Sequence, residues 1–188
     1  MAIKAVIFDC FGVLTTDGWK QIRTDIIQTD EARHAARDLD VAVNTGMIGY
    51  DEFVAQVAQL AELSVEQTRS QLNSTAANIR LFEYIRDELK PQYKIGLLSN
   101  AADNWLGDLF EPWQVRLFDE VVLSYAVGMV KPQPDIYDLM ATKLGVLPEE
   151  CVFIDDIERY ITTAVDVGMK GIVFTSTEQA IEAITCSL

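Results

Sequence analysis

The chain has 188 residues, 49% hydrophobic and 23% charged, with a formal net charge of −14. That composition is globular rather than disordered, and the length holds one full domain plus a small insert around a sizeable core. The acidity argues against broad, phosphate-led nucleic-acid binding and against anionic membranes, both of which need basic surface.

Three cysteines, Cys10, Cys151 and Cys186, show no Cys-x-x-Cys spacing, so neither a disulfide framework nor a zinc site is expected. Cys10 and Cys151 sit in apolar runs and read as small core residues. The apolar stretch from Met1 to Phe8 is too short for a signal peptide. No run of about 18 apolar residues predicts a membrane span. The expected location is the cytoplasm, and the sequence leaves the oligomeric state open.

The first predicted strand is Ala5–Phe8, a short continuous apolar run that ends at Asp9. Residues 16–79 then show helical periodicity and little strand signal. Phe53, Val57 and Leu60 form an apolar stripe flanked by Val54, Ala58 and Ala61. Gly46 and Gly49 punctuate before that helix, and Ser64 with Gln67 resembles a capping box for the next. Further buried strands are predicted at Tyr93–Leu98, Glu120–Leu123, Val152–Ile154 and Gly171–Phe174. Ile136, Leu139, Met140 and Leu144 recur at helical spacing until Gly145 stops them. Ile161, Ala164, Val165 and Met169 lead from the fourth strand to the fifth. The alternation predicts an α/β fold with a parallel, doubly wound sheet. Residues 1–15 and 80–188 would form that core, and 16–79 an all-helical insert after the first strand.

In such a sheet, ligands bind beyond the carboxyl ends of the strands. The polar residues that follow each apolar run are therefore the candidates. Asp9 follows the first strand, Ser99 and Asn100 the second, and Asp155 and Asp156 the fourth; Lys131 lies past the third. Neighbouring carboxylates repel one another and call for a cation, and hard Mg2+ suits them. Lys131 would add positive charge to Asp9 and to a transferring group. The Ser99 hydroxyl and nearby backbone N–H groups would hold a phosphate oxygen. Phosphoryl transfer needs mainly positioning and charge stabilisation, and an aspartate can act as its nucleophile. Each residue also has a plainer reading: Asp9 as a turn or cap, Ser99-Asn100 as a helix cap, Lys131 as a solvated loop residue. The adjacent pair Asp155-Asp156 after Val-Phe-Ile is harder to explain structurally. The four sites together are more specific than any one.

These residues resemble the motifs of the haloacid dehalogenase-like superfamily. Ile7-Phe8-Asp9-Cys10-Phe11-Gly12-Val13-Leu14 is similar to its first motif, and Gly96-Leu97-Leu98-Ser99-Asn100 to its second. Val127-Gly128-Met129-Val130-Lys131-Pro132-Gln133-Pro134 resembles the third, and Val152-Phe153-Ile154-Asp155-Asp156 the fourth, with Gly168-Met169 beyond. Order and spacing fit across nearly the whole chain. The resemblance implies a Rossmann-like core with a helical cap. It further implies Asp9 as nucleophile and metal ligand, Ser99 and Asn100 as phosphate-binding residues, Lys131 as a stabilising and phosphate-binding residue, and Asp155 as a magnesium ligand. Asp156 would support the metal, and the Phe11 backbone carbonyl would ligate it. A small phosphorylated metabolite is the implied substrate.

Two positions depart from the pattern. Family phosphatases usually carry a second aspartate, the general acid and base, two residues after the nucleophile; here Phe11 stands there. Slow turnover, or a leaving group that needs little protonation, is the expected consequence. Tyr160 stands where relatives often have asparagine. Three functions compete: a magnesium-dependent phosphatase, a metal-independent 2-haloacid dehalogenase, and a non-catalytic phosphate- or partner-binding domain. Dehalogenase relatives share an aromatic residue after the nucleophile but lack the paired acids. A carbon–phosphorus hydrolase is a further relative without the second aspartate, and no clear cap lysine supports it. Trp19, Arg33, His34 and Arg37 are pocket candidates with stronger readings as packing or solvated residues. Trp105 and Trp113 are expected to pack against the sheet.

Overall fold

The computed structural model describes residues 2–101 and 104–188. Five parallel strands form one sheet: β1 (Ala5–Phe8), β2 (Lys94–Ser99), β3 (Glu120–Leu123), β4 (Cys151–Asp155) and β5 (Lys170–Val173). Their spatial order is β3-β2-β1-β4-β5. The predicted β1 and β3 match these bounds, and the others shift by a residue or so at their ends. The strands are continuous apolar runs because both faces are covered. Val6, Phe8, Leu97 and Ile154 pack on one face, against Leu81, Phe82, Ile85 and Leu89. Ala5, Ile7, Leu98 and Phe153 pack on the other, against Ile136, Tyr137, Met140 and Leu144.

The chain leaves β1 toward β2 and β3 on one side, then returns to β4 and β5 on the other. The switch point therefore lies between β1 and β4, where such sheets open a crevice. Register aligns Phe8 with Ile154, so Asp9 and Asp155 come next side by side. Both continue the odd-numbered face of their strands, because side chains alternate along a strand.

Residues 18–72 carry four helices: α1 (Gly18–Gln21), running into a π-helical turn at Ile22–Ile26, α2 (Asp30–Asn44), α3 (Tyr50–Ala61) and α4 (Val65–Leu72). They surround a separate apolar cluster of Ile22, Ile27, Ala36, Val43, Phe53, Val54, Val57 and Ala61. The Ser64–Gln67 capping box is present. The two connections to this helical segment run side by side, with Thr15 bridged to Ala77 and Thr16 N–H donating to Ala76 O (3.1 Å).

The remaining helices cover the sheet: α5 (Ile79–Tyr84), α6 (Leu106–Leu109), α7 (Pro112–Val115), α8 (Ser124–Val127), α9 (Pro134–Leu144), α10 (Glu158–Asp166) and α11 (Thr177–Ser187). Gly145 ends α9 in the left-handed conformation, as its position predicts. Val165 departs from expectation. It is 51% exposed, because the buried face of α10 is carried by Tyr160, Ile161 and Ala164. Among the described residues no helix is long and apolar enough to cross a membrane.

Candidate active site

Asp9, Asp155 and Lys131 meet at the carboxyl ends of β1 and β4. Lys131 Nζ donates to Asp9 Oδ1 (2.7 Å) and Asp155 Oδ2 (2.5 Å). The lysine and Asp155 side chains are almost wholly buried, at 1% and 0% exposure. Backbone donors fix the acids further: Ile157 N–H donates to Asp155 Oδ1 (2.8 Å), and Asp9 N–H to the Ile154 carbonyl (2.9 Å). Asp156 completes an acidic group in which one carboxylate oxygen from each of Asp9, Asp155 and Asp156 lies within 4.8 Å of the other two. That all-oxygen donor set fits a hard divalent cation.

Burial pushes the Asp9 carboxyl up to about 8; Lys131 draws it down, while Asp155 and Asp156 push it up. Burial raises Asp155 as well, opposed by Lys131 and by the Ile157 N–H. The Lys131 ammonium, though burial works against it, is held well above the usual lysine range by Asp155 and Asp9. At neutral pH the lysine is therefore charged, and the acids compete for it.

Two further residues position that lysine. Asn100 Oδ1 accepts from the Lys131 backbone N–H (2.8 Å), and Asn100 Nδ2 donates to the Lys131 carbonyl (3.1 Å). The Asn100 carboxamide thus spans both backbone groups of Lys131. Tyr160 lays its ring 4.9 Å from Lys131 Nζ, a cation–π contact. The Tyr160 hydroxyl accepts from Arg159 Nη2 (3.1 Å) and Asn100 Nδ2 (3.4 Å). Ser99 is buried on the same edge, with its hydroxyl donating to its neighbour's carbonyl at Asn100 (3.2 Å).

The turn after β1 brings Phe11 to the rim. Leu14 and Thr15 N–H groups both donate to the Cys10 carbonyl, at 2.8 and 3.0 Å. Gly12 has φ +89°, and a Cβ there would lie 2.7 Å from the Asp156 carboxyl carbon. Only glycine satisfies both constraints. Gly12→Ala is expected to lower stability by about 1–3 kcal/mol and to displace Asp156. Urea unfolding, with and without magnesium, checks both effects.

Above the acids opens a cavity of about 530 Å³, floored by Asp9, Ser99, Asn100, Lys131 and Tyr160. Phe11, Trp19, Phe53 and Trp105 supply aromatic walls. Phe11 meets Trp105 edge-on, with ring centroids 5.0 Å apart. Trp105 therefore lines the site as well as packing beside the core. Trp19 donates from Nε1 to Asp40 Oδ1 (3.0 Å). Trp113 packs against Phe82, away from the cavity.

Two residues beside the acids escape the sequence reading, Lys20 and the cavity-lining Asp17. Lys20 reaches from α1 to Asp156 Oδ2 (2.5 Å), across 136 residues of chain. Its sequence neighbourhood carries no signal for that contact. Asp17 caps α1 by accepting from Lys20 N–H (3.0 Å), and burial raises its carboxyl. An Asp ahead of a short helix was a detectable cap, though not a detectable cavity residue.

The chain is similar to known proteins over most of its length. The sequence model of the haloacid dehalogenase-like hydrolase family matches residues 3–168. The chain is 26% identical to D-ribitol-5-phosphate phosphatase of Bacteroides thetaiotaomicron, covering 89% of this chain and 90% of that protein. It is 27% identical to bifunctional epoxide hydrolase 2 of Sus scrofa, covering 98% of this chain but only 38% of that longer protein. Among solved structures, a predicted HAD-like hydrolase of Porphyromonas gingivalis matches with a TM-score of 0.73 and 25% identity, over 100% of this chain and 98% of that one. A HAD family enzyme of Bacteroides thetaiotaomicron, in complex with magnesium and inorganic phosphate, shares the fold with a TM-score of 0.71 and 23% identity, over 93% and 95% of the two chains.

Proposed function

Because the chain belongs to the haloacid dehalogenase-like hydrolase family, we propose that it is a magnesium-dependent phosphatase of a small phosphorylated metabolite, acting through an aspartyl-phosphate on Asp9. One observation carries the reading: a buried lysine holds the candidate nucleophile beside an acidic pair at the sheet's switch point. The phosphatase relative of nearly equal length supports the reaction class.

In this reading an Asp9 carboxylate oxygen attacks phosphorus as the ester oxygen leaves, with the two in line. Lys131 neutralises charge on the phosphoryl oxygens and on the nucleophile. Ser99 Oγ donates to one of those oxygens once it turns from the Asn100 carbonyl. Asn100 contributes by setting Lys131, and its backbone N–H supplies a donor. Asp9, Asp155 and Asp156, with the Phe11 carbonyl, would hold magnesium. When bound, the ion would screen the phosphoryl charge from an approaching carboxylate. Water then attacks phosphorus of the aspartyl-phosphate, and the bond from phosphorus to the Asp9 oxygen breaks. Inorganic phosphate leaves with the water oxygen while the proton passes to phosphate or solvent, which regenerates the Asp9 carboxylate. Residues 16–79 act as the substrate-selecting cap over a core of 1–15 and 80–188, and the enzyme is taken to be cytoplasmic.

Phe11 sets the limit on this chemistry, because its side chain cannot protonate a leaving alkoxide. Aryl phosphates with acidic leaving phenols should therefore exceed matched alkyl phosphates in kcat/KM by at least about 10²-fold, the scale of lost general-acid catalysis. Phosphate release from such a panel, with and without chelator, tests the proposal. Release indifferent to magnesium, or absent throughout, would overturn it. The aromatic at position 11 also favours a second reading, a metal-independent 2-haloacid dehalogenase. Halide release from a 2-haloacid in chelator would establish that reading instead.

A further inference from the structure

Behind α1 and α2 lies a second concavity, of about 450 Å³, lined by Lys20, Arg23, Arg33 and Arg37 over Ile27 and Ala36. Four cations and no carboxylate line it, in a chain with 29 acidic and 15 basic residues. Arg33 and Arg37 stand one turn apart on α2, a like-charge pair that local helix energetics disfavour. Two of the cations have partners: Lys20 pairs with Asp156 (2.5 Å), and Arg33 with exposed Asp30 (3.3 Å). Arg23 and Arg37 form no salt bridge within 4.0 Å among the described residues, and the charge of Arg23 is felt by the Asp17 carboxyl in the same cavity.

Arg23 is the informative member. It lines both this groove and the cavity above Asp9. Its guanidinium is held over the Trp19 ring, 5.4 Å from the centroid. Its Nε is buried and lacks a hydrogen-bond partner. A guanidinium donor taken out of water without an acceptor is unfavourable, and a ligand oxygen would relieve it. Guanidinium geometry matches phosphate and carboxylate alike.

We propose that Arg23, backed by Arg37, binds a second anionic group of the substrate, so that the favoured substrates are phosphoesters bearing an additional phosphate or carboxylate. This rests on the phosphatase reading. The reacting phosphoryl group faces Asp9 and Lys131, and the second anion enters the shared wall at Arg23. Residues dismissible in the sequence as solvated helix faces then become specificity determinants.

The test measures kcat/KM of the full chain with magnesium on three matched esters: a neutral polyol monophosphate, the corresponding bisphosphate, and a phosphorylated sugar acid. The wild type should prefer one or both doubly anionic esters by at least about tenfold, and which one distinguishes phosphate from carboxylate. Arg23→Gln and Arg37→Gln should each cut that preference severalfold, mainly through KM, while Arg80→Gln, on an exposed face of α5, leaves it intact. Arg37 is exposed, so its variant folds even if Arg23→Gln does not. Equal rates on all three esters, or a preference unmoved in both variants, would overturn the inference while leaving the phosphatase reading standing. No hydrolysis of any ester would instead defeat that reading. Calorimetric titration with inorganic diphosphate then decides the groove: weaker binding by Arg23→Gln and Arg37→Gln supports it, and unchanged binding overturns it.

Discussion

Asp9→Asn is expected to abolish phosphoester hydrolysis, lowering kcat by at least about 10³-fold while leaving the fold intact. The substitution is nearly isosteric, so packing beneath the buried residue is kept. It removes the negative charge that makes the oxygen nucleophilic and that binds the cation. Lys131 retains Asp155 as its partner, at 2.5 Å, so no ammonium is left unpaired. The variant also relieves carboxylate repulsion, since Asp155 and Asp156 both oppose ionisation of Asp9. Its melting temperature in the absence of metal should therefore not fall. Steady-state phosphate release together with thermal unfolding separates these effects. Intact-protein mass spectra of the acid-quenched wild type should show a phosphorylated species that the variant lacks. Activity within about tenfold of wild type would remove Asp9 from the chemistry.

Lys131→Met carries the largest expected effect on stability. The lysine is 1% exposed in its side chain and pairs with two buried carboxylates. Methionine fills much the same volume but leaves Asp9 and Asp155 with no cation between them. Removing one member of a buried ion pair costs about 3–5 kcal/mol. The pH dependence follows from the direction of the carboxyl shifts. Burial raises Asp9 in the native protein, so the folded state holds protons more tightly than the unfolded chain does. Stability linked to such a group is complete below its unfolded value and is lost as pH rises through the folded one, about 8 here. Without Lys131 that loss deepens, so the variant's deficit should be smaller near about pH 5 than at about pH 8. Magnesium should recover part of the deficit at the higher pH, because the ion binds deprotonated carboxylates of the folded state. Urea unfolding at the two pH values, with and without magnesium, measures all three terms. A deficit independent of pH would show that the lost pairing does not control the effect.

Much of this architecture could be read in the sequence because its signals are local. Ala5–Phe8 and Glu120–Leu123 announce buried parallel strands as unbroken apolar runs, and Gly145 marks the end of α9 through a backbone conformation that other residues rarely adopt. Strand ends slipped by a residue or so because pairing, rather than composition, sets where a ladder stops. Val165 shares the apolar character of Ile161 and Ala164 yet is exposed, because one apolar residue in a short amphipathic helix does not define the angle of burial. The carboxylates at strand ends were legible for a topological reason: parallel strands present their carboxyl termini on one edge, so Asp9, Ser99 and Asp155 share that edge once the strands are assigned, while the strand order decides that they are neighbours.

The contacts that give the site its character were not legible. Nothing near Lys20 signals that its ammonium crosses to Asp156, and nothing near Asn100 signals that its carboxamide holds the Lys131 backbone. Tyr160, a departure from the expected pattern, acquires a meaning only in space, as the ring over Lys131. Arg33 and Arg37 read in the sequence as solvated helix residues, and only the packing of the Ile22–Ile26 turn beside α2 brings them to one groove with Arg23. By itself the sequence determined the strands, the chemistry-bearing residues that follow them and the absence of an acid at position 11, since these follow from periodicity and residue identity. Only the tertiary structure decided which side chains are buried together and which cation answers which carboxylate, because burial and pairing depend on distances that chain order does not carry.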